Sequence, residues 1–340
     1  MNKTNIDFLL YKNLNLIKKF KKDPVAAYNK ILIVGYTGLI GINILASLLN
    51  LKKKFQTKSN IICLNNSDIS HDLKKFLINN NIKYYKKDIT KNFKLNNKFD
   101  LIIFCAGYSA PFKFMRQNEN TILTQSIGLK NVSTYLNKGG KLVYFSSSEI
   151  YNGLKKNFNE NFSGNINYNN PRAPYIVGKK FGEAYCNLIA KKGYSVLILR
   201  LCLAYGPGVN IDDKRVLNEL VFNSLKSKKI RLLDDGSAVR NYIYINDVLY
   251  YLFKLINKSK YNLYNLTGNS ITTILNLAKK ISKINNSKLI ISKKKNGIPG
   301  AVKYVNISSK RLNKEYKNNN INLNDGIKNV ISWYKLIFKN

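Results

Sequence analysis

The sequence predicts an α/β protein built on a doubly wound parallel sheet, with a smaller α/β subdomain toward the C-terminus. Three observations carry this. A short apolar strand, Asn29-Lys-Ile-Leu-Ile-Val34, runs into the glycine turn Gly35-Tyr-Thr-Gly38-Leu-Ile-Gly41 and then into the helical run Ile42 to Leu51. Apolar strand-like stretches at 60–64, 82–85, 100–104 and 139–145 alternate with helical ones, the rhythm of parallel strands joined by crossovers. Polar or small residues gather where those strands end, at Asn65, at Ala106-Gly107 and at Ser146-Ser-Ser-Glu149, and ligands bind at that edge of such a sheet.

Taken in order, residues 1–28 read as a lysine-rich extension with a short amphipathic helix carried by Phe8, Leu9, Leu14, Leu16 and Ile17. No chemistry is assigned to it. The strand, turn and helix that follow form a dinucleotide site of Rossmann type. Its glycines, Gly35, Gly38 and Gly41, let backbone approach a pyrophosphate, which the free N–H groups of the helix start stabilise. The spacing is Gly-x-x-Gly-x-x-Gly, not the commoner Gly-x-Gly-x-x-Gly. The second strand ends at Asn65, where an acid often accepts the ribose hydroxyls and where only an amide oxygen is offered here. No arginine or lysine follows at once to meet a 2′-phosphate, and Asp68 repels one, so NAD is favoured over NADP. A helix is expected from about Gln117 to Leu136, then a fifth strand over 139–145. The loop 152–170, rich in Asn and Gly, is expected to cover the site.

At 340 residues the chain can bury a large core, and its 45% apolar content suits a globular protein. No apolar run reaches the length of a membrane span, and the first residues lack a secretory h-region, so a cytoplasmic protein with no membrane partner is expected. The net charge of +39 would ordinarily suggest nucleic acid. Here the lysines are scattered from Lys3 to Lys339 beside a parallel excess of Asn, Ile, Tyr and Phe, a pattern of codon bias, and no specific nucleic-acid partner is expected. Basic runs such as 52–54 and 293–295 read as solvated element ends. Cys63, Cys105, Cys186 and Cys202 lack metal-ligand spacing, and no metal is expected. His71 is the sole histidine, which excludes mechanisms that need two.

One pair stands out against this background. Tyr175 and Lys179 are four residues apart at the start of a predicted helix, and so share one face. A phenol with an ordinary pKa of about 10 acts as a base near neutrality only if its phenolate gains roughly 4 kcal/mol, and a neighbouring ammonium supplies such stabilisation. Such pairs arise by chance in a chain with 23 tyrosines, so the reading depends on what surrounds this one.

Gly35-x-x-Gly38-x-x-Gly41, Asp88-Ile89, Ser146-Ser-Ser-Glu-Ile-Tyr151 and Tyr175-x-x-x-Lys179, in this order and spacing, resemble the extended short-chain dehydrogenase/reductases that modify nucleotide sugars. The segments 199–207, 212–216, 235–247 and 265–268 resemble the family's substrate-domain motifs, and the resemblance spans roughly residues 29–337. It implies an NAD-binding domain over 29–204, with some later segments returning to it, and a mainly substrate-binding subdomain over 205–340. It implies cofactor contacts from Leu39, Ile40, Asp88, Ile89, Ala106 and Gly107 as well as the glycines and Asn65. Tyr175 would be the catalytic base. Lys179 would lower its pKa and hold the nicotinamide ribose, and Ser147 would bind the C4 oxygen of the sugar. Helices from Gln117 and from Tyr175 would build a homodimer.

The residues after Ser147 choose among reactions. Dehydratases of this family carry Thr-Asp-Glu where this chain has Ser147-Ser148-Glu149, and UDP-glucuronate decarboxylases carry the closer Thr-Ser-Glu. Ser109-Ala-Pro111 and Pro171-Arg-Ala-Pro-Tyr175 also resemble decarboxylase segments. The expected reaction is therefore UDP-glucuronate decarboxylation, with 4-epimerisation and 4,6-dehydration as alternatives and a non-catalytic binder of NAD and polyanions as the alternative of another class. Glu149 would be catalytic, with Ser148, Arg215 and Arg240 on the substrate. Glu149 also reads as a local cap or ion pair, and Arg215 as a surface arginine. Leu203, Gly208 and Gln125 depart from the family, standing where asparagine, arginine and asparagine are usual.

Overall fold

A computed structural model describes residues 1, 3–155, 158–292, 303–316 and 320–339; the basic run at 293–295 lies outside them. The first strands in chain order are β1 (Lys30–Val34), β2 (Asn60–Asn65), β3 (Lys83–Lys86), β4 (Phe99–Phe104), β5 (Leu136–Ser147) and β6 (Ser195–Leu201). After them come β7 (Leu203–Tyr205), β8 (Lys229–Arg231), β9 (Val239–Tyr244), β10 (Leu263–Leu266), β11 (Ser270–Thr273) and β12 (Lys288–Ile290). Seven of them form one parallel sheet in the order β10-β6-β5-β4-β1-β2-β3. A sheet covered on both faces needs strands that are apolar on both sides, and β1 meets that need. Ile31 and Ile33 enter one core, Leu32 and Val34 the other, and none of the four is more than 1% exposed. Chain order reverses between β1 and β4, which opens a crevice at their carboxyl ends.

The N-terminal helix α1 (Lys3–Lys18) is not a detached extension. Ile6, Leu9, Leu16 and Ile17 are buried, and α1 lies along α2 (Leu39–Phe55), where the Asn50 amide donates to Leu10 O at 2.8 Å and the Asn13 amide to Asn43 Oδ1 at 3.2 Å. It belongs to the main core. After α3 (His71–Asn79) and the short α4 (Pro111–Arg116), the helix expected from about Gln117 to Leu136 runs without interruption as α5 (Asn118–Leu123), one π turn (Thr124–Gly128) and α6 (Leu129–Ser133). Strand β5 then starts at Leu136. It does so because Leu136 pairs with Phe99 before the register shifts to Leu101 opposite Lys141, and Asn137-Lys-Gly-Gly140, with Gly139 at φ +75°, absorbs the surplus residues.

Helix α7 (Ala173–Lys191) packs on β5 and β6. A buried network ties them together: Arg200 on β6 makes a two-pronged bond to Glu183 of α7 at 2.9 Å on each prong, and donates to Tyr151 Oη and Phe162 O at 2.8 Å. This anchors the base of the loop that follows β5. Helices α8 (Val216–Lys226) and α9 (Ile245–Lys258) precede β8 and β10 respectively. Strands β7, β9 and β11 form a small second sheet facing the crevice, and β10 returns to the main sheet beside β6. No helix among the described residues is long and apolar enough to cross a membrane.

Candidate functional site

A cavity of about 940 Å³ lies at the β1/β4 switch point, between the main sheet and the second one. Its first wall is backbone. Gly35 sits at φ +83°, and a Cβ there would meet Ala106 Cα at 2.6 Å; a Cβ on Gly41 would meet the Gly35 carbonyl oxygen at 2.4 Å. Only glycine fits either place. Gly38 precedes α2 and no side chain caps that helix, so its first turn faces the cavity through Gly38, Leu39, Ile40 and Gly41. Ala106 and Gly107 complete this wall. Asn65, Asp88 and Ile89 do not line the cavity. The Asn65 amide donates to Ser67 O at 2.9 Å, Asp88 accepts from the Thr90 N–H and hydroxyl at 2.9 and 2.7 Å, and Ile89 packs beneath Gly128. Short polar side chains at strand ends have closed their own turns.

The floor carries the residues that the motifs single out. Ser147, at the end of β5, lines the cavity together with Tyr175 and accepts the Glu149 N–H at 3.2 Å. Tyr175 is 7% exposed and stacks on Phe114 of α4, with ring centroids 4.4 Å apart and planes 10° from parallel. Lys179, one turn further along α7, donates to Phe145 O at 2.7 Å and to Gln125 Oε1 at 3.0 Å. Its ammonium lies 5.9 Å from the Tyr175 ring centroid.

These positions correct the expectation that Lys179 depresses the tyrosine pKa. Burial pushes the Tyr175 phenol up to about 12; the Ser147 hydrogen bond, Arg172 and Arg215 oppose the rise without cancelling it. Burial also lowers Lys179 to about 8. The ammonium is spent on a carbonyl and an amide oxygen rather than on the phenol.

Gln125 organises this corner. The π turn swings it inward, 1% exposed, so that its amide donates to Ala106 O at 2.9 Å while its oxygen accepts from Tyr144 at 2.8 Å and from Lys179. One side chain thereby links the glycine wall to the floor. The sequence marks Gln125 as a departure without giving it a task; its one signal is a polar residue in a stretch otherwise fit for a plain helix.

Opposite lies a wall of charged side chains. Glu149 is held by Arg172 through a two-pronged ion pair, with Nε to Oε2 at 3.0 Å and Nη2 on the other oxygen. The Arg172 side chain is 5% exposed, and its guanidinium sits 5.1 Å over the Phe114 ring. Arg172 lies within a segment picked out by resemblance but given no role there, because nothing local shows that its partner is 23 residues upstream. Arg215 lines the cavity but is not free: it clasps Asp213 at 2.7–3.1 Å. Arg240 has no carboxylate partner among the described residues and donates to Val239 O at 2.8 Å. Ser148 and Leu203 also line the cavity. Gly208 cannot be an arginine here, since φ is +104° and a Cβ would stand 2.6 Å from Asn43 Nδ2.

Known proteins resemble this chain in sequence and in fold. UDP-glucuronic acid decarboxylase 1 of Danio rerio is 25% identical over 258 residues, which cover 75% of this chain and 60% of that protein. This chain thus spans about three fifths of that relative's length. The dTDP-D-glucose 4,6-dehydratase of Dictyostelium discoideum is 29% identical over 279 residues, covering 75% of this chain and 62% of the relative. Among solved structures, UDP-glucuronic acid 4-epimerase from Bacillus cereus, in complex with UDP-glucuronic acid and NAD, superposes with a TM-score of 0.74 at 19% identity, over 91% of this chain and 99% of the other. The model of the NAD dependent epimerase/dehydratase family matches residues 31–267, from the first strand of the main sheet through β10 to Thr267, and the chain belongs to that family.

Proposed function

We propose that this protein modifies a nucleotide sugar through transient oxidation at C4, and that its reaction is the decarboxylation of UDP-glucuronate. The observation that carries this reading is the convergence of Ser147, Tyr175 and Lys179 on one cavity floor, with the Glu149–Arg172 pair beginning two residues beyond Ser147. NAD, the family's cofactor, fits the first wall, where two glycines occupy places that a Cβ would fill and an uncapped helix start faces the pyrophosphate position. When bound, it accepts a hydride from C4 of the sugar and later returns it.

Tyr175 takes the C4 hydroxyl proton while Ser147 holds the oxygen. Because burial leaves the phenol near 12, its ionisation depends on positive charge brought close, and Arg172 and Arg215 are the cations that already oppose the rise. With C4 a ketone, a carboxylate on C5 is β to a carbonyl. The C5–C6 bond then breaks, its electron pair passes into the C4 enolate, CO2 leaves, and a proton added at C5 restores the ketone. Glu149 and Arg172 stand where that exchange needs paired charge, and Arg240 is the cation left for the diphosphate. The dehydratase alternative lacks an acid at Ser148.

Purified protein supplied with NAD and UDP-glucuronate should release CO2 and form a UDP-pentose. A C4 epimer, or a 4-keto-6-deoxy sugar from UDP-glucose or dTDP-glucose, would move the protein to another reaction of the family. No turnover of any of the three overturns the reading.

A homodimer belongs to the same proposal. Phe181 and Leu188 on α7, and Ile127 in the π turn, are 43–46% exposed, a patch that a second copy would cover. Sedimentation at micromolar concentration should show a dimer that Phe181→Asp converts to monomer; a monomeric wild-type protein contradicts it.

A further inference from the structure

The loop 206–214, which leads from β7 into the substrate wall, is held at two of its carbonyl oxygens. Pro207 O accepts from the Asn43 amide of α2 at 2.8 Å, and Val209 O accepts from Trp333 Nε1 of the last helix (Leu323–Lys339) at 2.9 Å. Its place matters to the cavity, because Tyr205 just before the loop and Arg215 just after it both line that space. Behind each holder stands a residue of α1. Asn13 donates to Asn43 Oδ1 at 3.2 Å, and Phe8 lies against Trp333 with ring centroids 5.8 Å apart. Leu9 reaches the loop itself: a Cβ on Gly208 would stand 2.6 Å from Asn43 Nδ2 and 3.6 Å from Leu9 Cδ2. α1 lies outside the residues 31–267 that the family model matches, so the family's shared frame does not supply this backing.

The Asn43 amide shows what α1 contributes. Its nitrogen donates to Leu39 O at 2.9 Å as well as to Pro207 O, and the side chain is buried, so its oxygen needs a donor that water cannot supply. Asn13 is that donor. Without it, Asn43 either turns over and surrenders Pro207 O or keeps an oxygen buried and unpaired. Asn13 is itself buried, and its own Oδ1 has no hydrogen-bond partner among the described residues. An apolar side chain would fill a seam between helices without that burden, so packing alone does not account for an asparagine here. We propose that α1 is a brace for the substrate wall, and that Asn13 is a positioning residue which acts on that wall through Asn43 and Pro207. The cofactor wall does not depend on it, since Ile42 N–H bonds Gly38 O at 2.9 Å within the start of α2 and Gly41 packs directly on Gly35.

The test compares full-length Asn13→Leu with the wild-type protein. Leucine removes one buried orphan, Asn13 Oδ1, and creates another, Asn43 Oδ1, so the melting temperature should stay near that of wild type while the loop loosens. Trp333 is the sole tryptophan and reports on the loop through its bond to Val209. Its quenching by acrylamide should rise at least about 2-fold, as expected of a local opening. Affinity of the NAD-loaded protein for UDP-glucose should fall about 10-fold, as when groups of a site are misplaced, while NAD affinity changes less than about 2-fold. Asn13→Asp, of the same shape with its donor withdrawn, should show the same split and stands in if Asn13→Leu does not fold. In a protein that binds UDP-glucose, equal losses for UDP-glucose and NAD, or either signal without the other, overturn the brace, as does no change in both. UDP-glucose as the probe rests on the function proposed above. Wild-type protein that binds NAD but not UDP-glucose would count against that function and leave the brace to be decided by Trp333 quenching alone.

Discussion

The two walls of the main cavity are made of different material. The cofactor wall is main chain, with Gly35 and Gly41 packed against neighbouring backbone, and a buried cation beside it, Lys179, is held by two hydrogen bonds. The substrate wall is side chain, and its charges are settled by partners of its own: Glu149 by Arg172, Arg215 by Asp213, and Arg240 by carbonyl groups alone. A wall of backbone tolerates few substitutions and holds one ligand; a wall of ion pairs can be re-paired to suit another.

The largest effect should come at the floor between the walls. Tyr175→Phe should lower turnover about 10²–10⁴-fold, the usual worth of a general base, with NAD affinity unchanged; retained turnover removes Tyr175 from that role. Lys179→Met tests the cost of the buried ammonium. With a folded pKa of about 8 against 10.5 unfolded, the folded protein binds fewer protons in between, so the penalty is complete below pH 8 and lifts as pH rises to 10.5. Wild-type stability should therefore climb relative to the Met variant by on the order of 3 kcal/mol across that window in denaturant titrations. Parallel curves would mean that the ammonium is not desolvated.

Smaller effects should separate the walls themselves. Gln125→Ala strips partners from Lys179, Tyr144 and Ala106, and should cost about 1–3 kcal/mol in stability along with activity. Gly41→Ala should weaken NAD at least about 10-fold, near 1.4 kcal/mol, by pushing α2 off the Gly35 carbonyl; NAD affinity that survives it would break the claim that this wall is backbone-built.

The same contrast decides what could be read from the sequence. The parallel sheet was legible because β1 and β4 are apolar on both faces, and the glycine turn because a close backbone approach admits no other residue. The convergence of Ser147, Tyr175 and Lys179 followed from motif order. The Glu149–Arg172 pair did not, since an arginine beside a proline gives no sign of a partner across the fold. Asn65 and Asp88 each close a turn of their own, a task that a polar residue at a strand end performs as readily as a ribose contact, so sequence alone does not separate the two. Phe8, Leu9, Leu14, Leu16 and Ile17 announced that α1 has an apolar face without saying that α2 would receive it, that Ile6 would join it or that Leu14 would stay 42% exposed. The helix before β5 was legible, but the π turn inside it left no mark, for nothing in Thr124-Gln-Ser-Ile-Gly128 opposes an ordinary helix before Gly128.

That π turn makes the site sensitive to counting rather than to chemistry. It holds one residue more than an α-helical turn would close over, so deleting a single residue between Ile122 and Gln125 would allow the helix to heal. Healing would rewind the residues of the wide turn into an ordinary one and so change the direction in which Gln125 leaves the helix. Gln125 could then no longer face Tyr144 and Lys179 while α6 kept its seat against β5. A chain shorter by one neutral residue would keep every motif named above and still lose the link between its cofactor wall and its floor.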